Sequence, residues 1–189
     1  LPPMSKLYDS IDDRLAAFIE KQKMFFVATA PSGDEGHVNV SPKGYDSFRI
    51  LGANEVAFLD LGGSGVETIA HLRQNGRITF MFCAFEGAAN ILRLYGTGEA
   101  TCFDDPGFAE KKALFPDFPK VRAIITAKIH RIADSCGWGV PFYDFKGERD
   151  QLIRYNEHRT DEVWRERRYT GNAESIDGLP GLVKPDAAE

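Results

Sequence analysis

Phe48-Arg-Ile-Leu-Gly52, then Val56-Ala-Phe-Leu-Asp60, then Gly62-Gly-Ser-Gly-Val-Glu-Thr68 is the stretch on which the fold turns. Two short apolar runs joined at Gly52-Ala-Asn-Glu55 read as a strand pair. The glycine-rich loop leads into a helix over 66–75, with Ile69 and Leu72 facing inward and Gly76 as its stop. Arg77-Ile-Thr-Phe-Met-Phe82 follows as a central strand. This is not a βαβ repeat, which needs about 10–15 helical residues between most strands.

Working outward, 9–23 reads as a helix capped by Ser10, with Asp12 and Asp13 at its positive end and Ile11, Leu15, Phe18 and Ile19 on one face. Met24–Ala30 and His37–Ser41 read as a hairpin, and Pro42-Lys-Gly44 as the turn after it. Residues 88–100 form a long strand with a bulge near Gly96 and Gly98. Residues 106–115 read as helical. In 123–133, Ile125, Ala127, Ile129 and Arg131 fall on one side and Ile124, Thr126, Lys128, His130 and Ile132 on the other. Residues 150–168 form a charged helix, and a Gly/Pro-rich tail begins at Gly171. Six or seven strands with single helices between them predict a mainly β fold, a small antiparallel barrel with peripheral helices. The expected organisation is a barrel domain over 1–147 and a C-terminal helix and tail over 148–189, packed on the barrel or on a partner. Leu1-Pro-Pro ahead of Met4 reads as a cloning remnant.

A chain of 189 residues, 43% hydrophobic and 27% charged, is long enough for one substantial core. A net charge of -5 argues against a nucleic-acid footprint and against adhesion to anionic membranes. Cys83, Cys102 and Cys136 are far apart and odd in number, which fits neither a disulfide scaffold nor a zinc site and suits a reducing cytoplasm. His37, His71, His130 and His158 show no ligand spacing. No apolar run approaches the roughly 20 residues of a membrane span, and the N-terminus has no signal-like apolar core.

Few residues carry chemistry. Arg49 on an apolar strand suits a bidentate anion, or a stem packed on the sheet with its head in solvent. The loop from Gly62 to Thr68 offers hydroxyls at Ser64 and Thr68 and free amides at a helix start, which suits an anion. It equally fits a plain turn, with Ser64 as cap and Glu67 completing a capping box. Lys43 brings a cation to a hairpin turn. Trp138, bracketed by Gly137 and Gly139, suits ring stacking, a dimer interface or a core bend. The acidic and basic residues of 144–162 read as a solvated face.

In this order the elements resemble the pyridoxamine 5'-phosphate oxidase-like family of FMN-binding split β-barrels. The resemblance covers residues 10–145 and rests on Ser41-Pro-Lys-Gly, Arg49-Ile-Leu, Val56-Ala-Phe-Leu-Asp, Gly-Ser-Gly-x-Glu-Thr, Leu94-Tyr-Gly-Thr-Gly and Ser-Cys-Gly-Trp-Gly-Val-Pro. It implies a six- to seven-stranded antiparallel split barrel, a homodimer, and FMN at the subunit interface. It further implies that Arg49, Ile50 and Leu51 touch phosphate and ring, that Leu59 and Asp60 line the ring, and that Ser64, Gly65 and Thr68 belong to the phosphate loop with Lys43 nearby. Ile91 and Arg93 would touch the flavin, and Trp138 would reach across from the second subunit. The chain departs from the oxidase itself. Gly65-Val66 stands where the oxidase has an Arg-Lys pair, no Tyr/Arg/Ser cluster lies between Asp104 and Arg122, and the C-terminal arginine motif is missing. The expectation is an FMN-binding oxidoreductase-like protein that does not oxidise vitamin B6 and whose catalytic residues and substrate are unknown. The alternatives are a non-catalytic or stress-associated flavin dimer, or a split barrel using deazaflavin or haem.

Overall fold

The computed structural model describes residues 5–185; the reading of Leu1-Pro-Pro and the end of the tail lie outside them. Eight antiparallel strands form one sheet: β1 (Ser5–Tyr8), β2 (Phe25–Thr29), β3 (Asn39–Lys43), β4 (Phe48–Gly52), β5 (Glu55–Asp60), β6 (Arg77–Cys83), β7 (Ile91–Cys102) and β8 (Ala123–Ser135). The order is β3-β2-β6-β7-β8-β5-β4, with β1 added beside β8. Strand β8 organises the sheet. One edge pairs along its length with β7, while the other takes β5 over Ala123–Lys128 and β1 over Ile132–Ser135.

The ladder is open between β3 and β4, and aromatic side chains bridge the gap. Phe25 of β2 meets Phe48 at 5.1 Å and Phe58 at 6.0 Å between ring centroids. Phe80 and Phe82 complete the cluster against Phe48. Edge-to-face contacts of this kind add to the area each ring buries. A split barrel is thus held shut by phenylalanines where backbone hydrogen bonds do not close it.

Among the described residues five helices flank the sheet: α1 (Asp13–Lys21), α2 (Glu67–Asn75), α3 (Phe108–Lys112), α4 (Gln151–Glu157) and α5 (Asp161–Gly171). Helix α1 starts later than its periodicity predicts. Asp12, not Ser10, is the cap, because its carboxylate accepts the Leu15 amide at 2.8 Å. The 150–168 helix is broken at 158–160, where Thr160 caps α5 by accepting the Val163 amide. Pro42 and Lys43 belong to β3 and not to a turn; an edge strand tolerates the missing N–H of proline. β1 has no signal in its four residues and adds an eighth strand.

The bulge near Gly96 is present, and it explains a change of face in β8. Tyr95 pairs with Arg131 and Gly96 with Ile129, leaving His130 as the extra residue. A Cβ on Gly96 would sit 2.4 Å from the Lys128 carbonyl oxygen, so only glycine fits there. The inserted residue resets the alternation, and Ile132 joins Ile125, Ala127 and Ile129 inside the barrel.

Helix α2 spans the barrel with Ile69 and Leu72 inward and Gly76 closing it in the left-handed conformation. His71 on that face is fully enclosed; Nδ1 lies 2.9 Å from Thr29 Oγ1 and Nε2 has no partner among the described residues. Burial lowers the pKa of His71, while Asp177 and Glu67 pull the other way. The neutral ring is therefore the folded form, and the unfolded chain binds the extra proton. Stability falls as pH drops below about 6.5, by at most about 1.4 kcal/mol per unit from this group. Urea midpoints between pH 7.5 and 5.5 measure the slope, and His71→Leu should flatten it.

Candidate functional site

The loop 62–65 leaves β5 through a glycine in the left-handed region, Gly62, with φ of 79°. Beyond it, three consecutive carbonyls are held from one side. Arg168 donates to Gly63 O at 2.6 Å, Asn172 Nδ2 to Ser64 O at 3.1 Å, and Arg122 to Gly65 O at 2.7 Å. The three donors form one cluster, because Asn172 Oδ1 accepts from both Arg122 and Arg168. In a trans peptide the N–H opposes the preceding carbonyl. The amides of Ser64, Gly65 and Val66 therefore face away from the cluster. Those amides, and the amides of Glu67 and Thr68 at the start of α2, have no acceptor among the described residues. Successive amides at a helix start form a concave cradle for an anion.

A buried ion pair sets this arrangement. Arg122 donates Nε to Asp60 Oδ2 at 2.9 Å and Nη2 to Oδ1 at 3.2 Å, and both side chains are about 95% enclosed. Burial pushes the Asp60 carboxyl up, but Arg122, Lys43 and the Gly62 amide outweigh it and hold the carboxyl below the usual carboxylate range. Asp60 is thus the anchor of the loop. Its partner Arg122, like Asn172 and Arg168, has no motif in the sequence. The only available signal is that an aspartate ending a buried strand requires a cation.

The cradle opens into a cleft of about 520 Å³ lined by His37, Asn39, Ser64, Gly65, Glu67 and Glu174, among others. Asn39 Nδ2 lies 3.4 Å from Thr68 Oγ1. The tail closes one side: Asp177 takes the His37 amide at 2.8 Å and His37 Nδ1 at 2.6 Å. Glu67 does not complete a capping box. The helix cap is Val66, with no side-chain bond, and Glu67 instead accepts the Ile176 amide at 3.2 Å. Its carboxylate also lies over Gly65, 2.2 Å from where a Cβ would stand. The free amides and the Thr68 hydroxyl suit an anion, and two carboxylates oppose it, Glu67 over Gly65 and Glu174 in the cleft lining.

The other predicted residues are not brought to this cleft. Arg49 is engaged elsewhere: its guanidinium grips Asp46 at 2.5 and 3.0 Å, donates to Leu114 O at 2.9 Å and lies 5.1 Å from the Phe115 ring. Arg49 and Ile50 line a separate cleft of about 360 Å³, and Leu51 is exposed at the edge of β4. Lys43, Leu59 and Asp60 line a third, of about 190 Å³. The outer face of β5 is covered, with Ala57, Leu59 and Leu61 packed under Phe115, Val121 and Leu152. Ile91 and Arg93 lie by Ser135, at the opposite end of β8 from the Asp60 pairing. Trp138 lies just beyond that end and is 79% exposed, so it is not a core residue at a bend.

Comparison with known proteins agrees with this architecture. The family model for pyridoxamine 5'-phosphate oxidase matches residues 11–131. The chain is 37% identical over 196 residues to the pyridoxamine 5'-phosphate oxidase family protein ustO of Aspergillus flavus, covering 95% of this chain and 78% of that protein. Its fold is similar to that of a single-residue variant of HupZ from group A Streptococcus (TM-score 0.53, 23% identity, 66% of this chain and 98% of that one). It is also similar to a protein from Lactobacillus delbrueckii described as a pyridoxamine 5'-phosphate oxidase relative (TM-score 0.51, 16% identity, 66% and 94%). With the family model spanning well over half of the sequence on a split-barrel sheet, the chain belongs to the pyridoxamine 5'-phosphate oxidase family.

Proposed function

We propose that the protein binds FMN as a homodimer, with the phosphate on the Ser64–Thr68 amides, and serves as a flavin-dependent redox protein other than a vitamin B6 oxidase. The observation that carries this reading is the outward-facing run of amides without an acceptor among the described residues, held in place by Arg122, Asn172 and Arg168. Family membership supports the flavin. The flavin, when bound, supplies the redox chemistry. The chain's own residues hold the phosphate, and Thr68 adds a hydroxyl.

A second copy is part of the proposal. Trp138 and the loop lie at opposite ends of β8, about 40 Å of strand apart at roughly 3.3 Å per residue, so one copy cannot bring them together. Strand β3 is a free edge, and Val38 and Val40 beside the cleft are 72% and 59% exposed. Unpaired edges and contiguous exposed apolar side chains favour association. No helix of the described residues is long and apolar enough to cross a membrane. The three cysteines are free, which supports a reducing compartment such as the cytoplasm.

Glu67 gives the reading a direct check. Its carboxylate stands where it repels a phosphate, and like charges at such distances interact by several kcal/mol at most in a partly screened site. Glu67→Gln keeps an acceptor for the Ile176 amide and removes the charge. Fluorescence titration should show FMN binding about fivefold tighter or better, with riboflavin unchanged. Equal affinity of both variants for FMN would place the phosphate elsewhere. Bleaching of the bound flavin by NAD(P)H separates a redox protein from a passive carrier.

A further inference from the structure

The β2–β3 hairpin carries a second cleft at its other end. Thr29 and Asn39 pair near the amide cradle, whereas Phe25 and Lys43 pair four residues away, about 13 Å along the strands. There the chain from 142 to 149, which has no regular secondary structure, crosses over the start of β2 and the β3–β4 turn. Beneath it lies a cavity of about 480 Å³, within the usual range for small-molecule sites. Met24, Pro42, Tyr45, Phe85, Tyr143 and Phe145 give it an apolar, largely aromatic wall.

The crossing segment is fastened at both ends. Tyr143 N donates to Phe85 O at 3.1 Å, and the two rings meet edge-on at 5.5 Å. At the other end Tyr45 donates its hydroxyl to Arg149 O at 2.5 Å and its amide to Glu148 at 3.2 Å. Tyr45 has φ of 61°, and it is the one non-glycine residue with positive φ among the described residues. Such a conformation is unfavourable for a residue with a side chain and persists only where its surroundings hold it, most often at functional sites.

The cavity's charge is opposite to that of the whole chain. Five cations, Lys21, Lys23, Lys43, Lys146 and Arg149, line it with three carboxylates. Two of those carboxylates are already engaged: Asp144 lies 3.6 Å from Lys146, and Glu148 faces the Tyr45 amide. Lys21, Lys23 and Arg149 make no ion pair among the described residues, Lys43 is shared with Asp60, and Glu86 is the remaining acid. An aromatic wall with unpaired cations at its rim fits a flat ring bearing an anionic group. The rings stack or meet it edge-on, and the cations meet its charge.

We propose that this cleft is a binding site for a planar aromatic anion of one or two rings, carboxylate or phosphate ester, separate from the amide cradle. The assignment does not depend on the flavin reading. 2-Naphthoate serves as the probe and neutral 2-naphthol as its control, titrated by calorimetry into the full chain at pH 7.5. One naphthoate per chain is expected, binding about tenfold tighter than naphthol or better and weakening with added salt. Lys21→Gln with Arg149→Gln, both on the exposed rim, should remove that preference and leave naphthol within about twofold. Tyr143→Ala should weaken both probes. No saturable naphthoate binding, or a preference that survives the charge substitutions, would overturn the site. FMN titrated into the same double variant should bind as in the parent chain. A parallel loss of FMN would make the cleft part of the flavin site and overturn its separate assignment.

Discussion

Arg122→Met should destabilise the chain by about 3–5 kcal/mol, the usual cost of leaving one member of a buried ion pair uncompensated. The substitution strands the Asp60 carboxylate, about 95% enclosed, frees the Gly65 carbonyl and takes from Asn172 Oδ1 one of its two donors. Chemical denaturation at pH 7 measures the loss. Asp60→Leu combined with Arg122→Met should recover most of it, since an apolar pair of similar size is often neutral. Flavin affinity should not recover, because the Gly65 carbonyl still lacks its donor. Stability and binding are thereby separated in a single pair of variants. The ion pair also has a pH signature. The Asp60 carboxyl is held below its unfolded value, so its contribution is complete above about pH 4 and is lost as pH falls through the folded value. The double variant should lack that acid-side component.

Asn172→Leu should weaken FMN binding by about tenfold or more, although Asn172 is placed on the far side of the loop from the amides. The side chain is 98% buried, donates to Ser64 O and accepts from Arg122 and Arg168. Leucine has nearly the same shape and none of those bonds. The loop carbonyls then lose their common direction, and the amides lose theirs. Several charge-assisted bonds to a phosphate weaken together, each worth about 1.5–3 kcal/mol when well aligned. The folded state should lose about 1–3 kcal/mol as well, from buried groups left unpaired. The informative readout is the ratio of FMN to riboflavin affinity. A structural defect alone lowers both equally, whereas a misdirected cradle lowers the ratio.

The barrel was legible because its cues are local. Apolar runs marked β2 and β4 to β7, alternation marked β3 and β8, Gly76 marked the end of α2, and Gly96 marked the bulge. What local pattern could not show was the consequence of one inserted residue: His130 resets the face of Ile132, and nothing within β8 announces it. β1 is equally silent, since four mixed residues become a strand only beside the free edge of β8. The site divides the same way. The loop Gly62–Thr68 stood out by composition. The side chains that orient it come from 122, 168 and 172, and contacts at that separation leave no spacing to read. Arg49 shows the converse. A strand arginine invites an anion, and the anion in this fold is Asp46, three residues before it.

The proposed position of the FMN phosphate is on the amides from Ser64 to Thr68. The most direct measurement is calorimetric titration of the purified chain with FMN and with riboflavin, which differ only by that phosphate. One FMN per chain is expected, with an affinity about tenfold or more above that of riboflavin. Equal affinities, or no binding of FMN, would contradict it.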